Sequence, residues 1–294
     1  MLRRLPSAAL FLALLAALPA TAFTATDDRG VRVTFETATA RIIALAPHLA
    51  EIVFAAGAGA QLAAAVRYSD YPEDAARLPQ VGDASRIDVE RVIALKSDLL
   101  LAWRSGNPAG DVERLERLGF RVFVTEPARL PDIARLLRTI GMLAGTHAAA
   151  ERAAATFERD LATLRARYGQ ALPVRVFYEI WHRPLLTVNH AHLISDVITL
   201  CGGRNIFAEA PVLTPSVSLE TVLAGRPDIV LGGSSAMRPG ELETKWRSAP
   251  LAALREIPVR YVRADLIQRQ TPRIVQGAHA LCGHLEEIRQ KRDE

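Results

Sequence analysis

The sequence predicts a parallel, doubly wound α/β protein with two lobes joined by one long α-helix. Along most of the chain, short apolar segments that suit buried strands alternate with segments of helical pattern, as in successive βαβ units. Residues 146–168 are mainly Ala, Arg, Glu and Leu, without Pro, which favours one rigid helix of about 30 Å. A third observation is a sequence motif that occurs once on each side of this helix.

The predicted elements divide the chain into two similar halves. The predicted strands are residues 41–45, 62–66, 98–102 and 121–124 in the first half, and 174–178, 228–232 and 259–262 in the second. The predicted helices are residues 48–56, 89–95, 111–118, 146–168, 192–200 and 272–287. We therefore predict a first lobe at residues 23–145, a linking helix at 146–169 and a second lobe at 170–294.

The repeated motif occupies residues 88–101 and 218–231. A Glu, a Val, an Ala, an Asp and a final Leu match in register between the two copies. Each copy predicts a capped helix, a tight turn at the Asp and then a strand. Two lobes of similar build on either side of one helix predict a cleft between them.

Residues 1–22 have the pattern of a cleaved signal peptide. Arg3 and Arg4 form a positive start, residues 8–18 are uninterruptedly apolar, and Ala20 and Ala22 flank Thr21 in a small-x-small cleavage pattern. The apolar stretch is shorter than the roughly 20 residues that span a bilayer. No Cys lies near the cleavage point, so we expect an unlipidated protein in the periplasm of a two-membrane bacterium.

Composition limits the kind of partner. A mature chain of about 270 residues exceeds the size at which one core usually suffices, which again favours two lobes. The formal net charge of +4 falls when the signal peptide with Arg3 and Arg4 is removed. The remaining Lys and Arg are scattered among acids, so nucleic acid is not an expected partner.

Known catalytic signatures are absent from the sequence. It contains no dinucleotide fingerprint, no H-E-x-x-H, no paired CxxC and no P-loop. His190 and His192 are the only close histidine pair, and a loop-and-cap role suits them better than a metal site. The sequence therefore predicts a protein that is not an enzyme and that carries no metal or cofactor of its own.

Cys201 and Cys282 are the only two cysteines. In an oxidising compartment two cysteines in one chain usually form a disulfide. A metal or catalytic role for two isolated thiols is the less favoured alternative.

Aromatic residues make up only 6% of the chain, yet several follow predicted strands directly. Tyr68 follows one strand of the first half, Trp103 follows another, and Trp181 follows the first strand of the second half. Because ligands of parallel sheets bind beyond the carboxyl ends of the strands, these rings suit a pocket for a large, flat, partly apolar ligand. The alternative is that each ring caps the core of its own lobe.

Asp265 and Arg269 follow the last predicted strand. A carboxylate accepts and a guanidinium donates hydrogen bonds, so together they suit the amide-bearing edge of a ligand. An ion pair within the loop is an equally common arrangement.

Several segments together resemble one family. Residues 68–72 (Tyr-Ser-Asp-Tyr-Pro), 88–98, 103–106, 201–207, 217–220 and 271–273 are similar, in this order, to the periplasmic cobalamin-binding proteins of ABC importers, members of the helical-backbone (class III) metal-chelate binding proteins. The resemblance covers nearly all of the mature chain. It implies two Rossmann-like lobes joined by a single long helix, with only small hinge motion.

The resemblance also implies how the ligand is held. Tyr68 and Trp103 match pocket aromatics of the first lobe, and Asp265 and Arg269 match polar pocket residues of the second. Trp181 falls one position from a pocket Phe. Cobalamin would then lie in the cleft as transported cargo.

The resemblance implies two further pairs of residues. Glu90 and Glu220 match exposed glutamates, one on each lobe, that dock on the membrane permease. The alternative is that each Glu only favours the first turn of its helix. Cys201 and Cys282 match a disulfide of the family.

Two departures concern the ligand. Ala84 and Thr214 stand where the best-known member has pocket tryptophans. This difference would weaken the affinity for cobalamin or admit another corrinoid such as cobinamide.

The expected function is capture of cobalamin or a related corrinoid by a monomer that delivers it to separate permease and ATPase subunits. The alternatives are a haem- or ferric-siderophore-binding protein of the same fold, an enzyme on paired Rossmann-like lobes, and a metal-ion receptor.

Overall fold

The computed structural model describes residues 22–234, 238 and 240–293 of the chain, so the predicted signal peptide lies outside it except for its last residue. The strands are β1 (Phe23–Thr26), β2 (Arg32–Phe35), β3 (Ile42–Ala44), β4 (Leu62–Ala65), β5 (Gly82–Asp83), β6 (Arg86–Ile87), β7 (Leu99–Trp103), β8 (Val122–Thr125), β9 (Val174–Glu179), β10 (Trp181–His182), β11 (Leu185–Leu186), β12 (Gly203–Asn205), β13 (Ile229–Gly232) and β14 (Val259–Tyr261). The helices are α1 (Pro47–Ala55), α2 (Glu73–Ala76), α3 (Val89–Leu95), α4 (Ala109–Arg117), α5 (Leu130–Ala144), α6 (His147–Tyr168), α7 (Leu193–Leu200), α8 (Leu219–Ala224), α9 (Glu241–Arg247), α10 (Ala252–Arg255), α11 (Ala264–Ile267) and α12 (Ile274–Asp293).

Two parallel four-stranded sheets form the cores of the two lobes. The first sheet has the strand order β4-β3-β7-β8 and the second has the order β12-β9-β13-β14, and every neighbouring pair in both is parallel. Strands β7, β8, β9 and β13 are almost entirely buried, as expected of parallel strands that helices cover on both faces. The predicted α/β fold class is confirmed.

Helix α6 is the predicted linking helix. Its buried side chains recur every three or four residues, for example at Ala150, Ala154, Phe157 and Leu161, and form one apolar stripe. This stripe belongs to a continuous apolar core that includes strands of both lobes. The helix therefore packs against both lobes as well as connecting them. In the part of the chain that the structure describes, no helix combines the length and hydropathy of a membrane span.

Helix α5, which packs along α6, is not among the helices predicted from the sequence. Pro131 lies in its first turn, Asp132 accepts the backbone N–H of Arg129 at 2.8 Å, and Gly145 ends it with a φ of 72°. Proline near the start and glycine just past the end are ordinary helix boundary signals. Both signals are present in the sequence, at Pro131 and Gly145. The β1–β2 hairpin was also not predicted.

The two copies of the repeated motif have the same local structure. Asp88 caps α3 and Ser218 caps α8, each accepting the N–H three residues further on. After each helix one residue takes a positive φ, 49° at Lys96 and 47° at Arg226. These residues stand at equivalent positions of the two copies. The two copies therefore share an unusual, left-handed backbone conformation as well as their sequence pattern.

The aspartate shared by the two copies joins each turn to the neighbouring strand. The carboxylate of Asp98 accepts the N–H of Arg41 at 3.0 Å, immediately before β3. The carboxylate of Asp228 accepts the N–H of Arg175 at 2.6 Å, within β9. The Asp of the motif therefore accepts an equivalent backbone hydrogen bond in both lobes.

The predicted disulfide is confirmed. Cys201 directly follows α7 and Cys282 lies within α12, with 4.8 Å between their Cα atoms. Both residues are fully buried. The bridge joins two helices of the second lobe that cover its sheet.

Candidate ligand-binding cleft

The carboxyl ends of the two sheets carry the residues predicted to bind a ligand. In the first lobe, Tyr68 follows β4 and Trp103 is the last residue of β7. In the second lobe, Trp181 follows β9 and Asp265 follows β14, within α11. This is the edge at which parallel α/β sheets bind ligands.

Arg269 shows that these two edges face each other. It belongs to the second lobe, and its Nη1 donates to Glu51 Oε1 at 2.7 Å and to Asp70 Oδ1 at 2.6 Å, both in the first lobe. Its Nη2 donates to the carbonyl oxygen of Tyr68 at 3.2 Å. Burial alone would lower the pKa of Arg269, but the hydrogen bonds to Asp70 and Glu51 raise it above its ordinary value. Arg269 therefore stays charged and spans the cleft.

Glu51 also holds a second arginine of the opposite lobe. Arg273 donates from Nε to Glu51 Oε2 at 2.9 Å and from Nη2 to Oε1 at 3.0 Å, and from Nη1 to Asp265 at 3.2 Å. The Glu51 side chain is only 2% exposed. Its carboxylate thus accepts three hydrogen bonds from two guanidinium groups, an arrangement that fixes the distance between the lobes.

The charges across the cleft are balanced. Burial raises the pKa of Asp265, yet hydrogen bonds from Arg263 and Arg273 bring it below its ordinary value. Glu51, Asp70 and Asp265 therefore each face at least one arginine. We call this group the inter-lobe ion network, and its members are Glu51, Asp70, Asp265, Arg263, Arg269 and Arg273.

Trp103 packs against a buried histidine. The rings of Trp103 and His48 meet edge to face with centroids 5.1 Å apart, and a Cβ on Gly106 would stand 1.8 Å from the Trp103 ring, so this position requires glycine. Burial, and then the positive charge of Arg269, lower the pKa of His48 to about 3. The imidazole is therefore neutral, and Trp103 is half-buried between core and cleft.

Other rings of the cleft stay exposed. Tyr68 is 68% exposed and has a φ of 69°, a left-handed conformation that is unusual for a bulky residue. Tyr71 is 45% exposed, although its ring lies 4.0 Å from the guanidinium of Arg273. Trp181 is 42% exposed and donates from Nε1 to the carbonyl of Arg183 at 3.0 Å. Such exposure does not fit the alternative in which these rings cap the lobe cores.

Burial separates the cleft into two parts. We call the part formed by buried and half-buried residues the cleft floor, and its members are His48, Glu51, Trp103 and Arg273. We call the exposed part the cleft rim, formed by Tyr68, Asp70 and Tyr71. Arg269 contacts both parts. Trp181 lies at the corresponding sheet edge of the second lobe.

Comparison with known proteins is consistent with this geometry. The family model described as "Periplasmic binding protein" matches residues 42–264. The chain belongs to the periplasmic binding protein family. Members of this family bind a substrate for transport.

Individual relatives and solved structures cover most of the chain. It is 36% identical over 246 residues to a vitamin B12-binding protein of Vibrio cholerae serotype O1, covering 84% of this chain and 89% of the relative. The vitamin B12-binding protein of Yersinia pestis is 36% identical over 248 residues, covering 84% and 87%. The crystal structure of the periplasmic vitamin B12-binding protein BtuF of Vibrio cholerae is 35% identical with a TM-score of 0.77, covering 85% of this chain and 98% of that one.

A haem-binding structure shares the fold. The periplasmic haem-binding protein BhuT, in complex with two haems, has a TM-score of 0.75 at 23% identity, covering 86% of this chain and 99% of that one. At this identity the likeness shows a common fold and leaves the ligand open. The family match and the BtuF structure confirm the architecture of a class III periplasmic binding protein that the resemblance implied.

The structure brings some predicted site residues of this periplasmic binding protein into contact. Arg269 bonds to the backbone of Tyr68, and its charge acts on the histidine beneath Trp103. Asp265 and Arg269, predicted as a pair, take different partners, because Asp265 bonds to Arg263 and Arg273. Trp181 lies at the same sheet edge, in the β10–β11 hairpin. Their contact with a ligand stays a prediction.

The sequence reading missed Glu51, Arg273 and His48 as cleft residues. Glu51 lies one turn after His48 in a helix that is otherwise apolar, Pro47–Ala55. A glutamate within an apolar helix face was the available signal, because such a group needs a buried partner. Its partners lie more than two hundred residues further along the chain.

The histidine pair and the two glutamates predicted to dock on a permease also have defined places. His192 caps α7, accepting the N–H of Ile194 at 3.1 Å, and His190 contacts the carbonyl of Ala208. The described residues contain no cluster of potential metal ligands. Glu90 and Glu220 are exposed in the first turns of α3 and α8, at equivalent positions of the repeat.

Proposed function

We propose that this protein captures cobalamin, or a close corrinoid, in the cleft between its lobes and delivers it to an ABC importer. The relatives that support this proposal are vitamin B12-binding proteins, at 36% identity over most of both chains. In this account the protein binds and releases its ligand without chemical turnover.

One observation supports an uncharged ligand most strongly. Each arginine of the inter-lobe ion network has a carboxylate partner in the cleft. Haem and ferric siderophores commonly carry acidic groups, and they would call for arginines without such partners. Cobalamin presents a flat macrocycle edged with neutral carboxamides, which suit both the polar network and the exposed rings of the cleft rim.

The proposed contacts follow the chemistry of each side chain. Tyr68 and Trp181 offer aromatic surface from opposite lobes, and Trp103 offers the exposed part of its indole between them. Asp265 and Arg269 exchange hydrogen bonds with carboxamide groups of the ligand. Because the ion network already holds the lobes together, little conformational entropy is lost when the ligand enters.

Delivery rests on the two exposed glutamates. Glu90 and Glu220 would dock, one from each lobe, on basic residues of a permease, with the ATPase on a further chain. We further propose that residues 1–22 are removed on export, that the mature protein works in the periplasm, and that it is a monomer.

Calorimetric titration tests the ligand. The mature protein, without residues 1–22, is titrated with cyanocobalamin, cobinamide, haem and a ferric siderophore. We expect one-site binding of cyanocobalamin tighter than that of haem or siderophore. Because Ala84 and Thr214 replace aromatic rings of the best-known relative, we expect cobinamide to bind with similar affinity. Haem binding with no corrinoid binding would overturn the proposal.

Transport in cells tests the docking. Glu90→Ala combined with Glu220→Ala should keep corrinoid affinity but impair uptake. The matched control is Glu113→Ala with Glu256→Ala, one exposed glutamate on each lobe, and it should transport normally. Normal uptake by the first double variant would contradict the docking role.

A further inference from the structure

Asp70 differs from the other carboxylates of the inter-lobe ion network in its exposure. Its side chain is 64% exposed, against 2% for Glu51 and 30% for Asp265. It lies in the cleft rim between Tyr68 and Tyr71, two exposed rings. Asp70 is thus the most accessible carboxylate of the network for a ligand that enters beside these rings.

Asp70 also completes the charge balance. Nη1 of Arg269 donates to both Asp70 and Glu51, while Glu51 is shared with Arg273. Without Asp70, the three arginines of the network would face only two carboxylates, Glu51 and Asp265. The network would then carry an excess positive charge, at Arg269. The carboxylate of Asp70 therefore cancels the attraction that Arg269 would otherwise exert on anions.

We propose that Asp70 is a specificity-determining residue that makes the cleft prefer uncharged ligands over anionic ones. This inference rests on the proposed function, and it adds which residue excludes acidic chelates. A carboxylate on a ligand that approaches Arg269 also approaches Asp70 and is repelled. A carboxamide carries no net charge and is not repelled. At an exposed, screened position such repulsion corresponds to about fivefold in affinity.

A pair of ligands that differ by one charge tests the proposal. The probes are cyanocobalamin and a monocarboxylic acid made from it by hydrolysis of one peripheral carboxamide at the corrin edge, and each is titrated into the mature protein at low ionic strength. For Asp70→Asn, we expect the ratio of amide to acid affinity to fall about fivefold below the wild-type ratio. Asp70→Glu keeps the charge and should keep most of the wild-type ratio.

Two controls separate charge from a merely structural role. Asp74→Asn changes an exposed acid of the neighbouring helix α2, which pairs with Arg77, and should leave the ratio unchanged. Added salt screens the repulsion, so the difference between wild type and Asp70→Asn should shrink as salt rises. A structural defect would weaken the binding of both ligands alike, and its effect would not depend on salt in this way.

The outcomes distinguish this inference from the function on which it rests. Suppose that the wild-type protein binds cyanocobalamin and that the ratio of amide to acid affinity is the same in Asp70→Asn as in the wild type. Asp70 is then not the selectivity determinant. If neither protein binds cyanocobalamin, the proposed function itself fails.

Discussion

The cleft floor and the cleft rim face the same gap between the lobes, but their chemistry differs. In the floor, Glu51 is buried and accepts hydrogen bonds from Arg269 and Arg273 of the opposite lobe. In the rim, Asp70 is exposed and makes a single contact with the same Arg269, beside the exposed ring of Tyr68. We propose a division of labour on this basis, in which the floor sets the spacing of the lobes and the rim contacts the ligand.

Burial decides how much each ion pair contributes to the stability of the folded protein. An exposed ion pair contributes at most about 1 kcal/mol, since water screens the charges and the side chains lose entropy. Removing one partner of a buried pair costs about 3–5 kcal/mol because the other charge is left without compensation. Substitutions in the floor should therefore change stability, and substitutions in the rim should change ligand affinity.

The largest effect is expected from Glu51→Gln. The amide keeps the shape but removes the buried charge that Arg269 and Arg273 share, and leaves them only the more exposed Asp70 and Asp265 as counter-charges. The free energy of unfolding should therefore fall by about 3 kcal/mol. Thermal unfolding of the ligand-free protein measures this. Glu73→Gln, whose partner Arg77 is exposed, is the control and should cost less than about 1 kcal/mol. Equal losses for both variants would mean that the floor does not tie the lobes together.

A smaller effect concerns His48 and acid. Because the folded protein holds His48 neutral, with a pKa of about 3, the unfolded chain binds a proton below about pH 6.5 that the folded protein does not. The stability due to the neutral form is complete above pH 6.5 and is lost as the pH falls towards 3. His48→Asn should reduce the stability lost between pH 7 and pH 5 by about 2 kcal/mol.

Unfolding at the two pH values measures this difference. His279→Asn, at an exposed position of α12, is the control and should lose stability as the wild type does. If the His48 variant loses as much stability as the wild type, water and protons reach the floor.

The smallest effect on the free energy of unfolding is expected from Tyr68→Ala. Removing an exposed ring should leave thermal stability within about 0.5 kcal/mol of the wild type. Loss of its contact with the ligand should weaken corrinoid affinity about tenfold. Leu172→Ala, another exposed apolar residue away from the cleft, should change neither. Unchanged corrinoid affinity in the Tyr68 variant would remove the rim from the binding model.

Most of the fold could be predicted because its signals are local. Buried parallel strands are continuous apolar segments, and α6 is a long run of strong helix formers. The repeat also predicted that Asp88 and Ser218 cap equivalent helices. The β1–β2 hairpin lacked such a signal, because its strands are short and largely exposed.

The site could be predicted only in part because its decisive contacts are not local. Tyr68 and Trp103 were placed correctly at strand ends, since the carboxyl edge of a parallel sheet follows from strand order. The partners of Glu51 belong to the other lobe. A glutamate in the otherwise apolar α1 indicates a buried partner, but nothing in the local sequence identifies the two distant arginines that it contacts.

The most direct test of this division is a crystal structure of the mature protein with cyanocobalamin bound. We expect the corrin ring between Tyr68 and Trp181, with the hydrogen bonds between Glu51 and Arg273 unchanged. A corrin bound elsewhere, or a complex in which Glu51 and Arg273 have separated to admit the ligand, would contradict the account.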